Sequence, residues 1–195
     1  MALYDIKMIP KVVIIGEPAV GKTSLCNSFL GKPFSHAYLI TVGVDFFSKD
    51  AVYDLNGLKV LVSWQIWDLA GDYSYHDIIG PYYIGSDTAA VVYDITRRDT
   101  LEKIRSWIFQ LWEKSGQIPI VIVGNKKDLR NETEECVAPE EGQKFAEELN
   151  KEYEIPVYFI ETSAKTGENV EELFKLMFKA ILWKKLKKES EEHKE

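Results

Sequence analysis

The chain is short of cysteine, of long apolar runs and of basic charge, and each shortage excludes something. Two cysteines, Cys26 and Cys136, in 195 residues make neither a disulfide framework nor a zinc site. Cys26 lies inside a helical pattern and reads as a small core residue. No apolar run approaches the roughly 20 residues that span a bilayer. Met1 to Pro10 has none of the charged, apolar and cleavage regions of a signal peptide. The expectation is a soluble or peripheral protein of the reducing cytoplasm. A net charge of −7 argues against sequence-independent nucleic-acid binding, which needs Lys and Arg to neutralise phosphates. It leaves a nucleotide site open, because such a site needs only local positive potential. Internal repeats and low-complexity linkers are also missing. What is present, 46% hydrophobic and 12% aromatic residues, suits one folded domain. Its core is expected over residues 7–182, with 183–195 as a short charged tail.

Apolar runs alternate with helical patterns, which predicts a mostly parallel sheet covered on both faces. Strands are expected at Lys11–Ile15, Val44–Leu55, Leu58–Trp67, Ala89–Ile95, Ile118–Val123 and Val157–Thr162. Asn56-Gly57 is a two-residue hairpin signal, so the second and third strands should run antiparallel. Helices are expected at Lys22–Leu30, Leu101–Lys114, Pro139–Leu149 and Asn169–Lys185. Ligands of such a fold sit at the carboxyl ends of the strands.

Gly16-Glu17-Pro18-Ala19-Val20-Gly21-Lys22-Thr23 follows the apolar run Val12–Ile15 and precedes the helical stretch that opens at Ser24. It fits G-x-x-x-x-G-K-[ST] in the strand–loop–helix setting that pattern requires. Such a loop turns backbone N–H groups toward a chain of phosphate oxygens at a helix N-terminus. Gly16 and Gly21 allow the backbone geometry and the close approach. Lys22 brings a point charge to the outer phosphates, and the Thr23 hydroxyl can ligate Mg²⁺.

Further groups lie at strand ends. Asn125-Lys126-Lys127-Asp128 follows an apolar strand. The Asp128 carboxylate can accept from both the ring N–H and the amino group of guanine, whereas adenine offers no such donor pair. Glu161-Thr162-Ser163-Ala164-Lys165 can turn the Ala164 N–H toward the guanine carbonyl and lay the Lys165 stem over the base. Asp68-Leu69-Ala70-Gly71 ends the third strand. There Asp68 would hold Mg²⁺ through a water, and the Gly71 N–H would meet a terminal phosphate oxygen.

With these motifs in this order, the sequence resembles a Ras-superfamily small GTPase over residues 7–181, and most closely its Rab branch. The resemblance implies a three-layer α/β P-loop domain, with a six-stranded mostly parallel sheet, one antiparallel strand and helices on both faces. It implies a monomeric GTP/GDP switch with Mg²⁺, in signalling or membrane-traffic-like regulation. It carries nucleotide contacts to Ser24, Leu129 and Ser163, and places Phe34 edge-on to the guanine. Thr41, within Thr41-Val42-Gly43-Val44-Asp45-Phe46, would bind Mg²⁺ and sense the third phosphate. Lys22, Thr41, Gly71 and the residue at position 72 would form the catalytic set. Phe46, Trp67 and Tyr82 match the aromatic triad that Rab effectors read, although aromatic residues on strands also simply pack. Exchange factors and activating proteins are implied partners.

The chain also departs from the pattern. Asp72 stands where the family usually has the Gln that orients the attacking water. An ionised carboxylate accepts but cannot donate, and it sits near anionic phosphate, so slow hydrolysis is expected. Tyr73 and His76 lie near, but neither has the spacing that water positioning demands. Pro18 has no N–H to give, and leaves open whether an activating protein's arginine can pass its ring. Tyr73-Ser74 replaces the usual Glu-Arg pair. The end, Trp183 to Glu195, carries no cysteine for prenylation. Its lysines read as a solvated helix end, so stable membrane anchoring would require a partner or be absent. Two readings follow: a slow GTPase switch, or an interaction module that binds guanine nucleotide with negligible turnover. An ATP-using kinase-like enzyme is disfavoured by Asn125 to Asp128.

Overall fold

Short β-branched runs, buried on both sides, set the middle of the sheet. The computed structural model describes residues 4–35, 41–132 and 135–192, without the side chains at positions 73, 76, 188, 189, 191 and 192. Its strands are β1 (Ile6–Met8), β2 (Lys11–Gly16), β3 (Val44–Leu55), β4 (Leu58–Leu69), β5 (Thr88–Asp94), β6 (Ile120–Asn125) and β7 (Val157–Glu161). Its helices are α1 (Lys22–Phe29), α2 (His76–Tyr83), α3 (Arg98–Glu102), α4 (Ile104–Ser115), α5 (Pro139–Tyr153) and α6 (Val170–Glu192). Every residue of β5 and β6 is buried, as expected of parallel strands covered by helices on both faces.

The sheet runs β3, β4, then β1 with β2, then β5, β6 and β7. All pairs are parallel except β3 with β4. That exception follows from the turn, where Asn56 at φ 53° and Gly57 at φ 88° give the left-handed pair that suits a tight hairpin. The Asp54 carboxylate closes it by accepting from the Gly57 N–H at 3.0 Å.

Six strands were expected and seven are present among the described residues: the first expected strand is β2, and the short β1 ahead of it is the addition. β1 pairs with Val60–Val62 and β2 with Gln65–Asp68 along the same side of β4. Pro10 between them has no N–H for the ladder, while its carbonyl still accepts from Gln65 at 3.0 Å. A second difference is α2. Gly80 and Pro81 lie inside it, and both disguise a helix in sequence. Burial of Ile79 and Tyr83 holds it in place. The helix expected at Leu101–Lys114 is split at Lys103 into α3 and α4, and α6 runs on to Glu192. His193, Lys194 and Glu195 lie outside the described residues.

Two cores sandwich the sheet. Leu25, Cys26 and Phe29 of α1 join Leu173, Phe174 and Met177 of α6 on one face. Ile79 of α2, Trp107 and Leu111 of α4, and Leu149 of α5 cover the other. The carboxyl ends of β2, β4 and β6 and the loop after β7 then meet at one rim.

Candidate nucleotide site

The loop from Gly16 to Gly21 leaves β2 through backbone that only glycine tolerates. Gly16 has φ 138°, and a Cβ there would lie 2.2 Å from the Val92 carbonyl oxygen. Gly21, at φ 98°, would place a Cβ 2.3 Å from Asn125 Nδ2. Lys22 opens α1 and is buried. Its ammonium donates to the carbonyls of Gly16 (2.8 Å) and Glu17 (2.9 Å). Burial lowers its pKa to about 8, opposed by the charges of Asp68 and Glu17. Gly71 packs onto the same loop, and a Cβ on it would lie 2.5 Å from Lys22 Nζ and 2.6 Å from the Gly16 oxygen.

Beside Lys22, three oxygen-bearing side chains converge. The Thr23 hydroxyl lies 2.8 Å from that of Thr41 and also donates to Asp68. Asp68 is fully buried, and its second oxygen, Oδ1, has no hydrogen-bond partner among the described residues. Burial pushes its pKa up to about 6, against the pull of the Thr23 hydrogen bond and Lys22. A buried carboxylate oxygen lacking a partner beside two hydroxyls is a hard-donor set that fits Mg²⁺. Among the described residues no cluster of three or more His, Cys, Asp or Glu is found. One carboxylate and two hydroxyls suit an ion that arrives with phosphate oxygens and keeps waters.

At the other end Asn125 is a clamp. Its Nδ2 donates to the Val20 carbonyl (2.8 Å), and its Oδ1 accepts from the Ala164 N–H and the Thr162 hydroxyl, both at 3.1 Å. One buried amide thus ties the phosphate loop to the Ser163–Lys165 turn. The Asp128 carboxylate accepts from the Ser163 hydroxyl at 2.6 Å, with Lys165 Nζ 3.8 Å away. Lys126, at φ 69°, pairs with buried Asp94 at 2.6 Å, which leaves its stem along the cavity. A cavity of about 480 Å³ joins these groups, walled by Pro18, Ala19, Gly21, Lys22, Thr23, Ser24, Phe34, Thr41, Gly71, Asp72, Asn125, Lys126, Asp128, Leu129, Ala164 and Lys165.

Gly16, Val20, Asp68 and Ser163 stand behind that wall, holding it. Glu17 does so too, with its side chain turned away toward α4. Asn27, Ser28, Lys32, Pro33 and Ser35 also line the cavity, and sequence reasoning missed them. The polar i, i+4 pairs Thr23–Asn27 and Ser24–Ser28 were the available signal, since they share one face of α1.

A model of the Ras family matches residues 11–183. The chain belongs to the Ras family. It is a small GTPase of the kind that binds GTP and GDP, typically with Mg²⁺, and switches between the two states.

In this Ras-family domain, position 72 is occupied by a residue with a local task. Asp72 Oδ1 accepts from the Ser74 N–H (2.8 Å) and the Ser74 hydroxyl (2.7 Å). Its carbonyl accepts from the Tyr75 N–H at 3.0 Å. The side chain caps the 3₁₀ turn Tyr73–Tyr75 that leads into α2, as Asp does in Asx turns. The side chains of Tyr73 and His76 lie outside the described residues. Farther along, Phe46 and Trp67 rings stand 4.9 Å apart, and Trp67 and Tyr82 rings 5.3 Å apart. Phe46 is exposed, and Lys11 Nζ lies 5.3 Å from the Trp67 ring centre. No described helix is long and apolar enough to cross a membrane.

Proposed function

We propose that this chain is a Rab-like guanine-nucleotide switch that hydrolyses GTP slowly. The observation that carries the slow step is Asp72, whose carboxylate is engaged in capping the turn after Gly71. An ionised carboxylate has no proton to donate to an attacking water or to the charge that develops on the phosphoryl group.

The geometry supports the remaining roles. Lys22, held among loop carbonyls, has its ammonium beside the path of the outer phosphates. Thr23, Thr41 and Asp68 would hold Mg²⁺, which when bound neutralises charge on the outer phosphate oxygens. Gly71 lies against Lys22 and offers backbone without steric cost. Asp128 reads the guanine edge, Ala164 and Lys165 flank the base, and Phe34 closes its side. Thr41 and Gly71 sit on the two loops that the third phosphate would order. The Phe46, Trp67 and Tyr82 surface lies on the two strands and the helix adjoining those loops, where an effector could read that order. Exchange and activating proteins would complete the cycle.

The Asp72 cap equally favours a second reading, a module that holds guanine nucleotide with negligible turnover. Equilibrium binding of GDP, GTP and ATP with Mg²⁺ tests what the two readings share. Guanine nucleotides should bind at least about a hundredfold tighter than ATP, because adenine leaves Asp128 facing an edge it cannot pair. Equal affinity would overturn both.

A further inference from the structure

The phosphate loop contains a carboxylate of its own, and its handling is unusual. Glu17 is 4% exposed, in a segment whose proposed task is to attract polyphosphate. A buried carboxylate there would repel the ligand and pay a desolvation penalty unless its charge were met. It is met from one side. Lys103 Nζ lies 2.7 Å from Glu17 Oε2, and Trp107 Nε1 donates to Oε1 at 3.0 Å. Both partners come from the α3–α4 segment, Lys103 at the break between the helices and Trp107 from buried α4. The next loop residue is held from the same segment, with Arg97 donating to the Pro18 carbonyl at 3.0 Å. Meanwhile the Glu17 and Gly16 carbonyls accept from Lys22 Nζ. The grip on the Glu17 side chain is therefore on the same residue as one of the contacts that seat the ammonium, and next to the other.

We infer that Glu17 is a positioning residue, clamped by Lys103 and Trp107, that sets the phosphate loop and directs its own charge away from the nucleotide. This rests on the proposed nucleotide-binding function. The clamp makes an unequal prediction for its two ends. Removing the Lys103 charge leaves the buried Glu17 carboxylate with the neutral Trp107 N–H and an unmet charge in the loop that faces the phosphates. Removing the Glu17 charge loosens the loop but leaves no repulsive group. The second change should therefore offset part of the first.

The test is the dissociation rate of a fluorescent GDP analogue, with Mg²⁺ and excess unlabelled GDP, from the full chain. Lys103 is 44% exposed at its side chain, so its substitution leaves the core intact, and thermal melts in saturating GDP check this. Lys103→Met should speed release about tenfold or more, and Lys103→Arg should return it to within about twofold of the unmodified protein. The double variant Glu17→Gln/Lys103→Met should release more slowly than Lys103→Met alone. A purely structural role would give the opposite order, with the double variant the fastest. Release from Lys103→Met at the unmodified rate, or a double variant faster than either single one, would overturn the inference. An unmodified protein that retains no guanine nucleotide would instead overturn the proposed function.

Discussion

Asp68 shows how much one buried atom can ask of its surroundings. Its folded pKa of about 6 stands above the ordinary 3.8 because burial outweighs the help from Thr23 and Lys22. Between those values the folded chain holds a proton that the unfolded chain has released. Metal-free stability therefore falls as pH rises through that window and levels off above it. The ionised carboxylate is the form that ligates a cation, so Mg²⁺ affinity should run the other way. It should be constant above about pH 6 and drop by up to about tenfold per pH unit below it. Titrating Mg²⁺ dependence of GDP retention from pH 5 to 8 measures this, and Asp68→Asn should abolish the slope. A flat profile in the unmodified protein would remove Asp68 from the metal set. The motifs of the proposed site stand out in the sequence at this scale because each residue type carries its own chemistry: Lys22 its charge, Asp128 its acceptors. The partners of Glu17, Asn125 and Asp72 were not. Glu17 and Asn125 are answered by residues from 37 to 105 positions away. The Asp72 cap is local, written as Asp-x-Ser, a short signal that many solvated loops also carry.

Elements were legible where one face or one turn decides them. β3 has the expected bounds because Asn56-Gly57 sets the hairpin and alternation fixes its register. The short β1 and the Gly-Pro-bearing α2 were hidden, since their stability comes from the strand or core they lean on. α5 shows tertiary space overriding helix preference. Alanine is ordinarily better than glycine inside a helix by about 1 kcal/mol. At Gly142 a Cβ would lie 2.3 Å from Phe159 and 2.7 Å from the Tyr93 hydroxyl. Overpacking of that kind costs about 1–3 kcal/mol, so Gly142→Ala should destabilise by up to about 2 kcal/mol. Urea unfolding at fixed GDP and Mg²⁺ reads it directly, and a stabilised variant would show that α5 can move off β7.

At the scale of the whole molecule, the fold is two cores around a sheet whose carboxyl rim carries the proposed nucleotide site. Trp64 of β4 is central to one core. It is fully buried, with ring centres 6.5 Å from Phe29 of α1 and 5.4 Å from Phe174 of α6. Its indole N–H donates to the Tyr53 hydroxyl at 3.2 Å. Trp64→Ala should cost about 3–5 kcal/mol, a large part of the stability of such a domain. Denaturant midpoints compared at one GDP concentration check this. A loss under about 1 kcal/mol would mean that α1 and α6 repack without it. The alternating pattern of strands and helices made this architecture readable in advance. The proposed slow hydrolysis is different, because it rests on where one carboxylate points. The most direct test of a slow switch is a single-turnover GTP hydrolysis time course with Mg²⁺, comparing the unmodified protein with Asp72→Gln. The account predicts that the variant, with an amide that can both accept and donate, hydrolyses at least about tenfold faster. Equal rates would contradict it, and would mean that the water is positioned without position 72.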